Sequence, residues 1–444
     1  MRKGYQFLWL ALFIIIAASF VLPQSVHAVP AFARQTSMGC TTCHFQHFPA
    51  LNAFGRAFKA GGYTMIGGES MIEGDMLSLP SVLNASVILK ARYQKTNGDY
   101  YFTKPDGSDP SFDEDDTSGR TVKTSGKIST NKGEFQLPDE ASLFLGGRVG
   151  EHVGFMVEGQ IADPDSPLLA SFKMPIVHEV GSTKISIIPF TTDSLGASFG
   201  FELLNTGAVL NIRPLEPELN VSAQQYVGTG TPAEGIALVA ANNMGFVNYS
   251  LWAPSHTAKD IGPASHYVRV AATPYFAGWD FGGGVQWWGG TTKIGSDAVT
   301  TGGFDADHPD REYKTHAWAI DAQAQGVINP MPLGVYISYG NSEKSDGGKP
   351  ENYFNSNPNN KTALAIVAEL GVLPGKATVA LGYRVADTGE VSNSKDNSLL
   401  FAATYKLVQN VRLELNHSIY SGSKYDTKPV DGDQLTTLLL FAGF

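Results

Sequence analysis

Cys40, Cys43 and His44 are the residues whose types and spacing point most directly to chemistry. The two cysteines are the only ones in 444 residues. They are spaced C-x-x-C, and a histidine directly follows the second. Thiols in this spacing add to the two vinyl groups of a haem while the next imidazole binds iron from one face, the attachment pattern of a c-type haem. Other chemistries also use a C-x-x-C pair. A disulfide needs only an oxidising compartment. A thioredoxin-like redox pair expects a βαβ setting that this stretch lacks. Zinc needs two more ligands at matched spacing, and no further cysteine exists. His44 decides for one covalent haem c.

A short helix must hold this motif. Pro49 suits a first helical position and Gly61-Gly62 the exit. Leu51, Phe54 and Phe58 recur at i, i+3 and i+7 and form one apolar face. Arg56 and Lys59 lie on other faces, where they either reach haem propionates or face solvent. The second axial ligand stays open. His47 is three residues after His44 on the same short stretch and does not easily reach the opposite face. Met65, Met71 and Met76 are within chain reach, and a thioether raises the potential relative to a second imidazole. Met65 is the favoured candidate; a later histidine or an open sixth position are the alternatives. A segment of about 50 residues is marginal as an independent core, so the haem and the rest of the chain must supply its interior.

The segment follows an export signal. Arg2 and Lys3 form a positive start, Phe7 to Leu22 is apolar apart from Ser19, and Val26-His27-Ala28 offers a small-x-small cleavage site. The apolar run is shorter than the ~20 residues a spanning helix needs, which disfavours an uncleaved anchor. The expected organisation is a signal peptide over 1–28, a monohaem c-type cytochrome segment over 29–80 and a β-region over 81–444. Composition agrees with the last. Charged residues are 17%, glycines number 48 and aromatics reach 11%, a profile suited to strands that show lipid only alternate side chains. A formal net charge of −10 argues against nucleic acid as a partner.

Candidate strands in the β-region are joined by alternately short and long connections. Residues 81–95 open it, and 134–161 read as a hairpin around Val149 to Gly154. Further strands are expected near 265–273, 278–288, 313–325, 332–341, 362–371, 376–386, 397–406, 411–420 and 435–444. Short turns at one end and long loops at the other are the signature of an outer-membrane barrel, with the long loops outside the cell. The terminal strand LTTLLLFAGF, ending at Phe444, looks like the insertion signal of such barrels. Termini on the same periplasmic side require an even strand number. At about 20 to 23 residues per strand the expectation is an all-β transmembrane barrel of about 16 antiparallel strands, porin-like, carrying a small α-helical N-terminal segment. The stretch 162–264 is the least clearly patterned. No blade-length repeat supports a propeller.

Other motifs are weaker. Asp106, Asp109, Asp113, Glu114, Asp115 and Asp116 crowd the first large loop and are hard oxygen ligands, or simply a solvated charged loop. Asp305, Asp307, His308 and Asp310 form a second acidic group. Ser198 is the centre of a G-x-S-x-G match, but no helical period follows it as a nucleophile elbow requires.

Residues 30–63, PAFARQTSMGCTTCH followed by FPALNAFGRAFKAGGY, then a barrel of this size, resemble the fused outer-membrane cytochrome–porins that serve as iron oxidases. Cys40, Cys43 and His44 match that family's haem-attachment positions, and Ala33-Arg34, Phe48-Pro49, Phe54-Gly55-Arg56 and Gly62-Tyr63 are similar to its pattern. The resemblance implies oxidation of extracellular Fe(II), with the electron passing through one haem to a soluble periplasmic cytochrome or other carrier. It implies a haem segment that plugs or caps the barrel, and acidic groups such as Asp113 to Asp116 that at most raise local Fe(II) concentration. A different donor or acceptor, or a diffusion porin with a haem-bearing plug, are the alternatives.

Overall fold

The computed structural model describes residues 31–75, 77–98, 133–161, 168–208, 222–256, 265–293, 312–345, 347, 350–427 and 432–444. The signal-like start, the acidic loop with Asp113 to Asp116 and the group around His308 lie outside the described residues.

The β-region closes into one antiparallel barrel of 16 strands, each pairing with its sequence neighbours. The strands are β1 (Ala85–Thr96), β2 (Glu134–Gly150), β3 (Val153–Gln160), β4 (Leu169–Lys173 and Ile176–Val180), β5 (Thr183–Thr192), β6 (Ala233–Asn242), β7 (Gly245–Ala253) and β8 (Ser265–Ala272). They continue as β9 (Trp279–Gly289), β10 (Ala317–Ile328), β11 (Met331–Ser342), β12 (Lys361–Leu373), β13 (Ala377–Asp387), β14 (Asn397–Val408), β15 (Val411–Ser421) and β16 (Gln434–Gly443). Pro175, which has no N–H to give the ladder, interrupts β4. Closure is made by β16 on β1, with Leu435 opposite Thr96 and Gly443 opposite Ile88. Closure leaves no strand edge unpaired.

The alternation behind this fold is direct. Along β10, Trp318 and Ile320 face outward and are exposed, while Asp321, Gln323 and Gln325 face the lumen and are buried. Similar outward residues recur round the barrel, among them Ile187, Leu238, Val270, Leu381, Phe401 and Leu438. A continuous belt of this kind is far larger than the apolar patches of soluble proteins and is stable only against lipid. Near the long-loop end Trp287 pairs with Trp318, whose ring lies 5.3 Å from that of Tyr339, as in an interfacial aromatic girdle.

The expected C-terminal strands agree with the observed ones to within a few residues. The main shift is at β10, which starts at Ala317 instead of 313. Glu312–Lys314 leaves the barrel to pair with Thr291–Lys293 and Glu351–Asn352 in a small sheet between loops. The poorly patterned middle contributes β4 to β7. It also holds the connection after β5, part of which folds into the lumen. Glu202 anchors it there. Arg269 of β8 lies 3.0 Å from Glu202 and 2.7 Å from Asp321 of β10, and Thr206 donates to Asp321 at 2.7 Å. Ser198 is buried in this inward segment, in a short turn where its hydroxyl donates to the Leu195 carbonyl. Nothing there resembles the strand-to-helix elbow of a nucleophile.

Residues 31–63 fold into three short helices: α1 (Ala31–Thr36), α2 (Cys40–Cys43) and α3 (Ala53–Ala60). The third begins at Ala53 instead of Pro49, because the Asn52 side chain accepts the Gly55 N–H and supplies the N-cap.

Candidate haem-attachment site

The single turn of α2 decides where the two thiols go. Thr42 N–H donates to the Gly39 carbonyl and His44 N–H to the Cys40 carbonyl, at 3.0 and 2.9 Å. Residues three apart on a helical turn share a face, so Cys40 and Cys43 point the same way. Both are free and half-buried. Burial, and then the neighbouring Cys40, push the Cys43 thiol above its usual value. The chain then doubles back. Phe45 N–H donates to Ala50 and Asn52 N–H to Cys43, bringing α3 against α2. Gly55 makes that approach: a Cβ there would lie 2.2 Å from the Cys43 carbonyl oxygen.

His44 is held by the same return. Its Nδ1 is 3.2 Å from the Ala50 carbonyl, and its ring meets Phe48 edge-on at 5.3 Å. A carbonyl only accepts, so Nδ1 carries the proton of this contact and Nε2 keeps the lone pair that a metal uses.

Cys40, Cys43 and His44 line one cavity of about 520 Å³. Its size falls in the ordinary ligand-pocket range of roughly 300–1,000 Å³. Phe48, Leu51, Phe58, Phe144, Phe199 and Phe441 supply its apolar walls, and Lys59 and Arg412 stand among its cations. Two thiols and an imidazole on one wall, apolar faces beside them and cations at the margins fit a covalently held haem. The cavity lies between the helical segment, the wall of β14 to β16 on one side and of β1 to β4 on the other, and the inward segment. It reaches Asp193 and Ser194 at the long-loop end of β5.

The segment is fastened to the short-turn end of the barrel, which faces the periplasm in barrels of this type. His47 Nε2 is 2.7 Å from Glu369 of β12. Arg412 of β15 donates to the Phe48 carbonyl at 2.7 Å and Lys406 of β14 to the Gln46 carbonyl at 2.8 Å. Asn205 of the inward segment accepts from Leu51 N–H at 2.8 Å and donates to the Leu51 carbonyl at 3.1 Å. It thereby ties the C-x-x-C-H segment to the inward connection after β5.

Of the residues singled out in the sequence, Cys40, Cys43, His44 and Lys59 come together at the cavity. Arg56 does not: it is buried against Asp280 of β9 in a two-pronged pair at 2.8 and 2.6 Å. It is a buried anchor, outside the cavity lining, where a propionate contact or a solvent-facing side chain were the two expectations. Met65 is 41% exposed and belongs to a separate depression with Ile66, His152 and Glu179; it does not line the haem-sized cavity. His47 lines the cavity, and its ring nitrogens face Glu369 and the Phe48 carbonyl. Met156, Asn205, Glu202 and Glu369 were not anticipated. Only Met156 left a trace in sequence, as an apolar residue among Gly154, Glu158 and Gln160 on the inward register of β3.

No protein-family model matches the sequence, and neither does any curated protein. Solved structures similar to it include an anion-selective porin from Comamonas acidovorans, at 11% identity and TM-score 0.49, covering 82% of this chain and 99% of that one. The outer membrane channel DcaP of Acinetobacter baumannii aligns at 10% identity and TM-score 0.47, over 82% and 97% of the two chains. A loop L8 deletion mutant of OmpT, an outer membrane protein of Vibrio cholerae, aligns at 11% identity and TM-score 0.47, over 82% and 99%. The protein is a closed 16-stranded antiparallel β-barrel with an outward apolar belt suited to lipid and a polar lumen.

Proposed function

We propose that this barrel carries one haem c on Cys40 and Cys43, with His44 on the iron, and passes single electrons from an extracellular donor to a soluble periplasmic carrier. The observation that supports this reading is the joint placement of both thiols and His44 on one 520 Å³ cavity at the short-turn end of the lumen. When bound, the haem supplies the one-electron redox couple. The chain's own residues do the rest. Ala50 orients His44 through Nδ1. Phe48, Phe58 and Phe441 form dry walls. Lys59 places a positive charge at the margin, and Arg56 and His47 hold the segment against the wall. No proton need be moved at any named atom for such a transfer.

Fe(II) as the donor, and iron oxidase as the activity, rest on the resemblance of residues 30–63. The test begins with a denaturing gel stained for haem: haem should stay with the chain and be lost from the Cys40→Ala/Cys43→Ala double variant. Anaerobic Fe²⁺ should then reduce the haem within the purified protein. Reduction by dithionite but not by Fe²⁺ would remove iron as the donor while leaving the conduit.

A second reading needs only the barrel. A closed wall with Asn248, Ser250, Gln286, Gln323 and Ser338 facing inward is also the architecture of a diffusion pore whose N-terminal segment is a haem-bearing plug or sensor. Conductance in planar bilayers separates the two: steady open-channel current that survives loss of the haem supports the pore.

A further inference from the structure

The ligand on the iron face opposite His44 is the open question within the haem reading, on which this inference depends. Side chains able to bind iron line the cavity among the described residues: Met38, His47, Lys59, Tyr63, Met156 and lysines of the wall. So do the carboxylates Glu140, Glu158, Asp193 and Glu202. Most are committed elsewhere. Tyr63 is stacked on Phe32, Glu158 accepts from Ser171, Asp193 from Ser194, and Glu202 pairs with Arg269. His47 contacts Glu369 at 2.7 Å and the Phe48 carbonyl at 2.8 Å. Lys173 donates to the Phe199 carbonyl at 3.1 Å and lies over its ring, Lys406 donates to Gln46, and Lys90 pairs with Glu140 at 2.6 Å. A charged lysine is also a poor ligand until it loses its proton. Thioethers carry no charge and need no deprotonation.

Position then separates the methionines. His44 belongs to the side of the cavity formed by β15 and β16: its ring meets Phe48, which stacks on Phe441 of β16 at 5.7 Å, and Cys40 Sγ is 3.9 Å from Asn410 in the β14–β15 turn. Met156 comes from β3, beyond β1 and β2 round the wall. In the register it stands opposite Gly146 of β2 and Lys173 of β4. A Cβ on Gly146 would lie 3.0 Å from the Phe32 ring, which stacks on Tyr63 at 4.8 Å. His44 and Met156 therefore lie on different walls of the same cavity. Met38, two residues before Cys40, shares the attachment loop.

The geometry points to Met156, a residue of the barrel wall, as the sixth ligand of the haem iron. The iron would then join the N-terminal segment to the barrel. A thioether opposite an imidazole also sets a higher potential than two imidazoles, which suits an acceptor of electrons from a weak extracellular reductant.

The test uses the full-length holoprotein in detergent. Met156→Leu keeps volume and apolarity, the kind of core exchange best tolerated, and a heat-modifiable gel shift confirms the folded barrel. The ferric protein should lose its thioether charge-transfer band and turn from low-spin to high-spin, with haem still covalently held. Met156→His should restore a low-spin spectrum, now of the two-imidazole type, with a midpoint potential below that of the parent. Met38→Leu and Met65→Leu should leave both spectra unchanged. An unchanged Met156→Leu spectrum with haem attached would overturn this inference alone; Met38→Leu giving the high-spin change would do the same. A parent protein without covalent haem would overturn the proposed function as well.

Discussion

His47 Nε2 lies 2.7 Å from Glu369 Oε1, and each side chain is 1% exposed. On its other edge the imidazole Nδ1 faces the Phe48 carbonyl at 2.8 Å. That carbonyl only accepts, so the Nδ1 edge donates, and the Nε2 edge meets the carboxylate. Thr378 also donates to the same carboxylate oxygen at 2.6 Å. The contact joins the segment carrying Cys40, Cys43 and His44 to β12 across 322 residues of chain.

Removing one partner leaves the other buried without its counterpart, a loss of about 3–5 kcal/mol for a buried pair. Glu369→Ala and His47→Ala should each lower the temperature at which the barrel unfolds on gels. The double variant should lose clearly less than the sum, because the two act as one unit. Additive losses would show that the pair is not coupled.

Gly55→Ala tests the return of α3 onto α2. Its Cβ would sit 2.2 Å from the Cys43 carbonyl oxygen, so the turn carrying the second thiol must shift, at about 1–3 kcal/mol by the usual cost of overpacking. The expected result is a lower ratio of haem to protein at normal barrel yield. An unchanged ratio would show that the thiols do not depend on this approach.

Arg56→Lys replaces a planar fork that meets both oxygens of Asp280 with a point charge that matches only one geometry. The segment before β1 should become more open to protease added from the periplasmic side. Asp280→Asn should act in the same direction.

Lys59→Ala removes a positive charge from the cavity margin. A cation near the iron disfavours its more positive ferric form, so the midpoint potential should fall in the variant and fall less at high salt. A rise would contradict the placement of Lys59.

Asp396 gives the outer loops a defined pH response. Burial opposes its ionisation, but the Arg384 guanidinium at 2.6 Å and Lys424 at 2.7 Å hold its carboxyl below the usual range. A depressed folded value means the contribution is complete above the unfolded carboxylate value of about 3.9 and is lost as pH falls from there through the folded value. An acid protease should begin to cut the β13–β14 loop only within that acid window. Asp396→Asn should make cutting nearly independent of pH across it.

Much of the barrel was legible in sequence because its signal is local. Residues alternate with period two, and one face must suit lipid, so Trp318, Ile320, Leu364 and Ile366 announce their strands without any distant partner. Glu312–Lys314 misled because three residues of strand character serve equally well in a loop sheet. The inward segment carrying Glu202 was invisible, since its stability comes from Arg269 and Asp321, 67 and 52 residues apart in the contacts they make.

The sequence by itself determined the local placement of Cys40, Cys43 and His44, because C-x-x-C-H depends on one helical turn and needs nothing further along the chain. It also determined the barrel class, through alternation that every strand repeats. Only the tertiary structure decided what surrounds the motif. Arg56 became a buried anchor because Asp280 faces it across the lumen, Met65 was left outside the cavity, and Met156 came to line the cavity from a strand more than 110 residues beyond Cys40. Those assignments follow from closure: bending a sheet into a barrel brings residues from distant strands around one lumen, and no local pattern encodes which of them meet.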